Sequence, residues 1–195
     1  MECDWEIEIA PDAPVIDAVW AGFVDLRRDA SRVRDVSETA QFPALAEALV
    51  RLNSTSSPVW TAKCDVWPID TVDPDELGAE EDSASSVVGC YIDLLPAGAQ
   101  PLLTGSGLDA IPEAIPNWCR RLCLDLRNRP LRQCRVDAII RRAHFTPVED
   151  GLDEGLGITA YVTTCGRSQP EASAVLARAL AVVTDSVLAV GGLGC

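Results

Sequence analysis

The sequence predicts an α+β domain: a mainly antiparallel sheet with helices packed on one face. Three observations carry this reading. Two stretches, "SPVWTAKCDVWPI" (57–69) and "RPLRQCRVDAIIR" (129–141), alternate in polarity as half-buried strands do. Each follows a helix-like run whose last residues include Leu, Arg and Asn, "FPALAEALVRLN" (42–53) and "IPNWCRRLCLDLRN" (115–128). Each also precedes an acidic loop and a second strand-like run, "VVGCYIDLLP" (87–96) and "LGITAYVTTCG" (156–166). These acidic segments read as hairpin loops, each joining two strands of an antiparallel pair.

The remaining elements follow in order. "WEIEIA" (5–10) alternates as a leading strand. "APVIDAVWAGFVDLRRD" (13–29) has the spacing of an amphipathic helix, with Val15, Val19, Phe23 and Leu26 on one face. Ser37 or Thr39 is suited to cap the next helix, which begins near Phe42. "QPLLTGSG" (100–107) reads either as a short leading strand of a second half or as a loop. "SQPE" (168–171) is a capping box with proline in the first turn, and it opens the last helix, "EASAVLARALAVVTDSVLAV". "GGLGC" then reads as a frayed end.

The two hairpins also align with each other. Pro58 falls on Pro130, Lys63 on Arg135 and Asp65 on Asp137, all at an offset of 72. Tyr91 falls on Tyr161 at an offset of 70, and the difference sits in the acidic hairpin loops, where length changes cost little. The expectation is a single domain over residues 1–195, built from two pseudo-equivalent helix–strand–strand halves, approximately 1–98 and 99–195. A chain of 195 residues is long enough to bury a sizeable core. The element order is similar to that of duplicated strand–helix–strand–strand modules, such as the small-molecule-binding regulatory domains of the GyrI-like class. The likeness lies in predicted element order alone.

Alternation assigns the faces. Ala62, Cys64, Val66, Val88, Cys90, Ile92 and Leu94 are expected under the helices, with Cys134, Val136, Ala138, Ile140, Ile158, Ala160 and Val162. The opposite face collects Lys63, Asp65, Trp67, Tyr91 and Asp93 from one hairpin, and Arg135, Asp137, Ile139, Tyr161 and Thr163 from the other. Lys63 is the chain's single lysine. Lys63 and Arg135 are thus pseudo-equivalent cations, each expected beside an aspartate and a cross-strand tyrosine. Lys63, Asp65, Trp67, Tyr91, Asp93, Arg135, Asp137 and Tyr161 form the candidate ligand site, and Asp65 and Asp93 are close enough in this scheme for one pKa to rise. The same residues also suit cross-strand pairs on an exposed sheet, or a dimer interface.

Composition narrows the function classes. The net charge of −14 disfavours nucleic acid and anionic membranes as partners. No uninterrupted apolar run reaches membrane-spanning length, and "MECDWEIEIAPD" is not a signal peptide, so a soluble cytoplasmic protein is expected. Eight cysteines in such a chain read as reduced, buried thiols. Cys119, Cys123, Cys134 and His144 match no zinc spacing, and no metal is expected. Cys165 stands where a strand meets a helix, with Arg167 beside it. That is a weak candidate nucleophile, and Arg167 and Ser168 are weak candidates for an anion contact. The acidic loops carry Asp73, Asp75, Glu76, Glu80, Glu81 and Asp82, and Glu149, Asp150, Asp153 and Glu154. They read as solvated tips, with a basic partner or divalent cation as the alternative. "DPDELG" resembles the start of a calcium loop but lacks the later ligands.

With one histidine and no nucleotide-binding, triad or metalloprotease motif, no cofactor is expected. The leading expectation is a non-catalytic module that binds a small organic ligand on the open sheet face or between the halves. The first alternative is an interaction or homodimerisation module using the same face. The second is a small hydrolase or transferase using Asp65, Asp93 or Cys165.

Overall fold

Residues 1–70, 72–80, 84–98, 111–146 and 153–192 are described by a computed structural model of the chain. Strand β1 spans Glu2–Glu8 and β2 spans Ile16–Asp17; β3 (Val59–Ile69) and β4 (Ser86–Pro96) form the first hairpin, and β5 (Cys134–His144) and β6 (Glu154–Gly166) the second. The hairpins join antiparallel through β4 and β6, so the sheet runs β1-β5-β6-β4-β3. β1 lies parallel to β5, and β2 continues along that same edge. The sheet is therefore mixed but mostly antiparallel. The parallel edge was not readable from alternation, because a period of two carries no information about strand direction.

The helices cover one face. A short α1 (Ser37–Gln41) leads into α2 (Pro43–Leu52), which buries Leu45, Ala48, Leu49 and Leu52. Pro43 stands at the first turn, where its missing N–H costs nothing. Thr39 turns its hydroxyl back onto the carbonyls of Val33 and Val36 instead of capping a helix. α3 (Ala114–Arg127) buries Ile115, Trp118, Cys119, Leu122, Cys123 and Leu126. α4 (Gln169–Val190) has the length and hydropathy of a membrane span, but it also carries Glu171, Arg178 and Asp185. Its apolarity is accounted for by burial: Ala172, Val175, Leu176, Ala179, Leu180, Val183 and Val187 pack into the core. These side chains close on Val88, Cys90, Ile92, Leu94, Cys134, Val136, Ala138, Ile140, Ile158, Ala160 and Val162, as alternation predicted. Burying each large aliphatic side chain contributes about 1.5–3 kcal/mol, so this layer dominates stability.

At the start of α4 the expected capping box is displaced by one residue. Ser168 makes no side-chain cap bond, and Glu171 accepts instead from the backbone N–H of Arg167 at 3.1 Å.

The expected helix over 13–29 does not form. Residues 16–26 instead cross the sheet's other face from β5 towards β3 as an irregular strap. Ile16 and Ala18 pack with Trp60, Leu95, Ala143, Phe145 and Phe23 on that face, whereas Val24 and Leu26 reach the helix-side core. Val19 is left 47% exposed and Trp20 39%. The apolar residues with helical spacing thus serve two different cores, and no single helix could reach both. A short 3-10 helix, Ala30–Asp35, follows the strap. The opposite end of the same face is covered by a second 3-10 turn, Pro74–Leu77, which seats Leu77 against Val87 and Cys165. So this face is open only in its middle.

One strand departs from simple alternation. Thr61 pairs with Leu94 and Cys64 with Ile92, so Ala62 and Lys63 together oppose Asp93. This is a β-bulge. It keeps Lys63 on the same face as Asp65, but moves Ala62 from its expected place under the helices to the strap cluster. The segment 100–107, Glu81, Asp82, Glu149, Asp150 and the last three residues, 193–195, lie outside the described residues.

Candidate functional site

Across the middle of the strapped face runs a line of side chains from every long strand. Trp67 on β3 lies 6.0 Å from Tyr91 on β4, and Tyr91 lies 6.0 Å from Tyr161 on β6, between ring centroids. Gly89 sits opposite Trp67, and any Cβ there would collide with the indole, so glycine lets the ring lie flat over β4. Beyond Tyr161, Arg141 on β5 places its guanidinium 5.6 Å from the ring centroid and donates to the phenol oxygen at 3.2 Å. Arg141 also donates twice to Glu8 Oε2 on β1, at 3.0 and 2.6 Å.

The line divides the residues predicted as one cluster. On one side lie Lys63 and Asp65, which do not pair. Lys63 Nζ is 3.7 Å from Asp17 Oδ2 on the strap and 5.5 Å from the Trp20 ring. Asp65 is exposed and accepts from the Val66 N–H at 2.7 Å. On the other side Arg135 donates through Nε to both carboxylate oxygens of Asp137, at 2.9 Å each. The predicted cation–aspartate pairing therefore forms in the second hairpin only.

Asp93 lies under the strap, 5% exposed, and accepts from Thr159 Oγ1 at 2.7 Å. Burial pushes its carboxyl above the usual range, against the lowering effects of the Thr159 bond and of Arg141 and Lys63. Asp65 plays no part in that rise, which corrects the expectation of a coupled Asp65–Asp93 pair. Tyr91 is pushed up to about 12, by burial first and then by the charges of Asp93 and Asp65.

Two cavities flank the aromatic line. The first, about 290 Å³, lies between the strap and β3. Its apolar walls are Trp20, Val24, Leu26, Val36, Leu49 and Ala62, and its polar groups include Lys63, Asp65, Tyr91, Asp35 and Glu38. Trp20 donates Nε1 to the Ala62 carbonyl at 3.3 Å, and its ring occupies the space that a side chain at Gly22 would need. The second is a more open groove of about 670 Å³ along β5 and β1, lined by Trp5, Glu6, Glu8, Glu76, Arg135, Asp137, Ile139, Arg141 and Tyr161 among others. Asp93 lines neither.

The weaker candidates are placed elsewhere. Cys165 is fully buried, and burial raises its thiol pKa, the opposite of what an activated nucleophile needs. Arg167 pairs with Glu171, donating from Nε at 3.3 Å, so the start of α4 already holds its own carboxylate. Asp73 accepts from the Asp75 N–H at 3.0 Å to form the 3-10 turn, in place of a cation loop. Among the described residues no group of three or more His, Cys, Asp or Glu is placed to hold a metal ion. His144 lies between Asp17 (3.6 Å) and Glu154 (3.5 Å), where the strap meets the sheet.

Arg141, Glu8 and Trp20 were not singled out from the sequence. Arg141 was within reach of the argument, since counting on from Arg135, Asp137 and Ile139 puts it on the same face. Trp20 was not, because its position depends on the strap. In comparisons with known proteins the chain matches no family, no curated protein and no solved structure, so any functional reading rests on this geometry.

Proposed function

We propose that the chain is a non-catalytic module that binds a small organic ligand at the β3 edge of its sheet, in the cavity that the strap closes against β3, α1 and α2. The observation that carries this reading is a single one. Trp20, the neighbouring Lys63 and Asp65, and Tyr91, brought from three separate segments, line one apolar-walled cavity. Its volume of about 290 Å³ falls just short of the roughly 300–1,000 Å³ range of ligand pockets, which suits a small ligand. Trp20 and Tyr91 contribute aromatic surface to its lining. Asp35, Glu38 and Asp65 outnumber Lys63, which favours a ligand bearing an amine or another hydrogen-bond donor. The Lys63–Asp17 contact is long and half-exposed, so a ligand can displace it at little cost. The burial of Asp93 and Cys165 supports a binding role over a hydrolytic one.

We further read the two hairpins as copies of one unit. Asp65 stands opposite Tyr91 and Asp137 opposite Tyr161, with β4 and β6 adjacent at the centre. In this reading the groove beside Arg135 and Asp137 is the counterpart of the Lys63 cavity.

Native mass spectrometry of freshly purified protein tests the proposal. The expected result is a monomer carrying a non-covalent adduct that is lost in Lys63→Ala and Trp20→Ala while both variants stay folded. A clean dimer without adduct would instead favour an interaction module using the same face.

A further inference from the structure

Cys3 on β1 and Cys123 on α3 are 120 positions apart in the chain, yet Cys3 Sγ donates to Cys123 Sγ at 2.9 Å. Both side chains are buried, 3% and 2% exposed. The sulfurs need to close by less than about 1 Å to reach the roughly 2.05 Å of a covalent bond. Arg127, one turn further along α3, donates Nε to the Cys3 carbonyl at 2.8 Å, which brings its guanidinium beside the pair. The hydrogen bond from Cys3 and the Arg127 charge hold the Cys123 thiol below its ordinary range. The same bond, with burial, pushes Cys3 up. The pair is thus an attacking thiolate beside a thiol that can resolve the oxidised product.

We propose that Cys3 and Cys123 form a reversible intramolecular disulfide that staples β1 to α3. Burial selects a small neutral oxidant, a peroxide. The Cys123 thiolate attacks one oxygen of hydrogen peroxide, the O–O bond breaks, and hydroxide leaves, giving a sulfenic acid. Cys3 sulfur then attacks the Cys123 sulfur. The S–O bond breaks, the Cys3 proton passes to the departing hydroxide, and water leaves. Overall two thiols and one peroxide give one disulfide and two waters, with both sulfurs oxidised and the peroxide reduced. A dithiol reverses the bond by exchange. Among the described residues β1 is an edge strand, paired on one side only, to β5, and it carries Glu6 and Glu8 of the larger groove. The staple therefore fixes one wall of that groove, whichever ligand the other cavity takes.

The test uses full-length protein, reduced, desalted, exposed to hydrogen peroxide, then denatured and alkylated with N-ethylmaleimide. The untreated chain should take eight adducts, one per cysteine. The treated chain should take two fewer, and its peptide map should join the Cys3 and Cys123 peptides at a mass about 2 Da below their sum. Cys123→Ser should take seven adducts with and without peroxide. Free Cys3 and Cys123 in the treated wild type, or a crosslink joining other cysteines, would overturn the proposal. So would loss of two adducts in Cys123→Ser. If that variant does not fold, the wild-type peptide map still decides.

Discussion

Tyr91 and Tyr161 stand directly opposite each other on the two central strands, their ring centroids 6.0 Å apart and their planes inclined by 47°. Each also has an aspartate as its other cross-strand partner, Asp65 for Tyr91 and Asp137 for Tyr161. The pair couples the two hairpins in the open middle of the strapped face, between the apolar cluster under the strap and the one under Leu77. Cross-strand aromatic pairs contribute about 0.5–1.5 kcal/mol beyond their burial. A double-mutant cycle of Tyr91→Ala and Tyr161→Ala in urea unfolding should therefore give a coupling of about 0.5–1 kcal/mol. Additive losses would mean that the rings pack independently.

The Glu8–Arg141 pair fastens the edge strand. Arg141 is 11% exposed and Glu8 39%, so the carboxylate is the more accessible partner. Removing it leaves a guanidinium largely out of water whose remaining acceptor among the described residues is the Tyr161 hydroxyl. Glu8→Ala should cost about 1–3 kcal/mol. Amide exchange should quicken along β1 more than along β4, and this is the measurement that separates loss of an anchor from general destabilisation.

The sheet shows what the sequence reveals and what it hides. Alternation through β5 and β6 put Arg135, Asp137 and Tyr161 on one face, because nothing interrupts their pleat. On β3 the bulge opposite Asp93 moved Ala62 to that face, and the phase shift it causes falls at Thr61 and Ala62, whose small side chains do not mark which face they join. The strap was hidden for a stronger reason. Val15, Val19, Phe23 and Leu26 have helical spacing, yet Phe23 and Leu26 pack on opposite faces of the sheet. Which core a residue joins is a tertiary decision, and the site residue Trp20 inherits it. Lys63 was placed on its face correctly, but its nearest carboxylate is Asp17 of the strap.

Asp93 should give the protein a recognisable pH signature. Burial raises its folded-state pKa above the ordinary aspartate value of roughly 3.9. The native state then binds more protons than the unfolded state between those two values, and the derivative of stability with pH is negative there. The contribution of Asp93 is fully present below the unfolded pKa and is lost as pH rises through the folded one. Asp25 and Glu171 are lowered by their arginine partners and act in the opposite sense. The informative quantity is therefore the difference between wild type and Asp93→Asn, which keeps an acceptor for Thr159. The variant should be the more stable at pH 7, and its advantage should shrink towards pH 4. An advantage that does not change with pH would mean that Asp93 is ionised in both states.

Asn53 governs the geometry that delivers Lys63 to the cavity. It closes α2, is buried, and makes three side-chain bonds: Nδ2 donates to the Leu49 carbonyl at 2.8 Å and to Thr61 Oγ1 at 2.7 Å, and Oδ1 accepts from the Thr61 N–H at 3.1 Å. Thr61 is the last regularly paired residue before the bulge. Asn53→Ala leaves the Thr61 N–H buried without its acceptor, at a cost of about 1–3 kcal/mol. Asn53→Asp keeps that acceptor but loses both donors and sets a carboxylate against the Leu49 carbonyl. At pH 7 it should be less stable than Asn53→Ala, because a buried, unpaired charge costs more than a missing bond. At pH 5 the carboxyl can take up a proton and donate once, so the order should narrow or reverse. Urea unfolding of both variants at the two pH values checks this. A stability difference unchanged between the two pH values would show that water reaches the introduced carboxylate, and that the α2–β3 junction is looser than these three bonds imply.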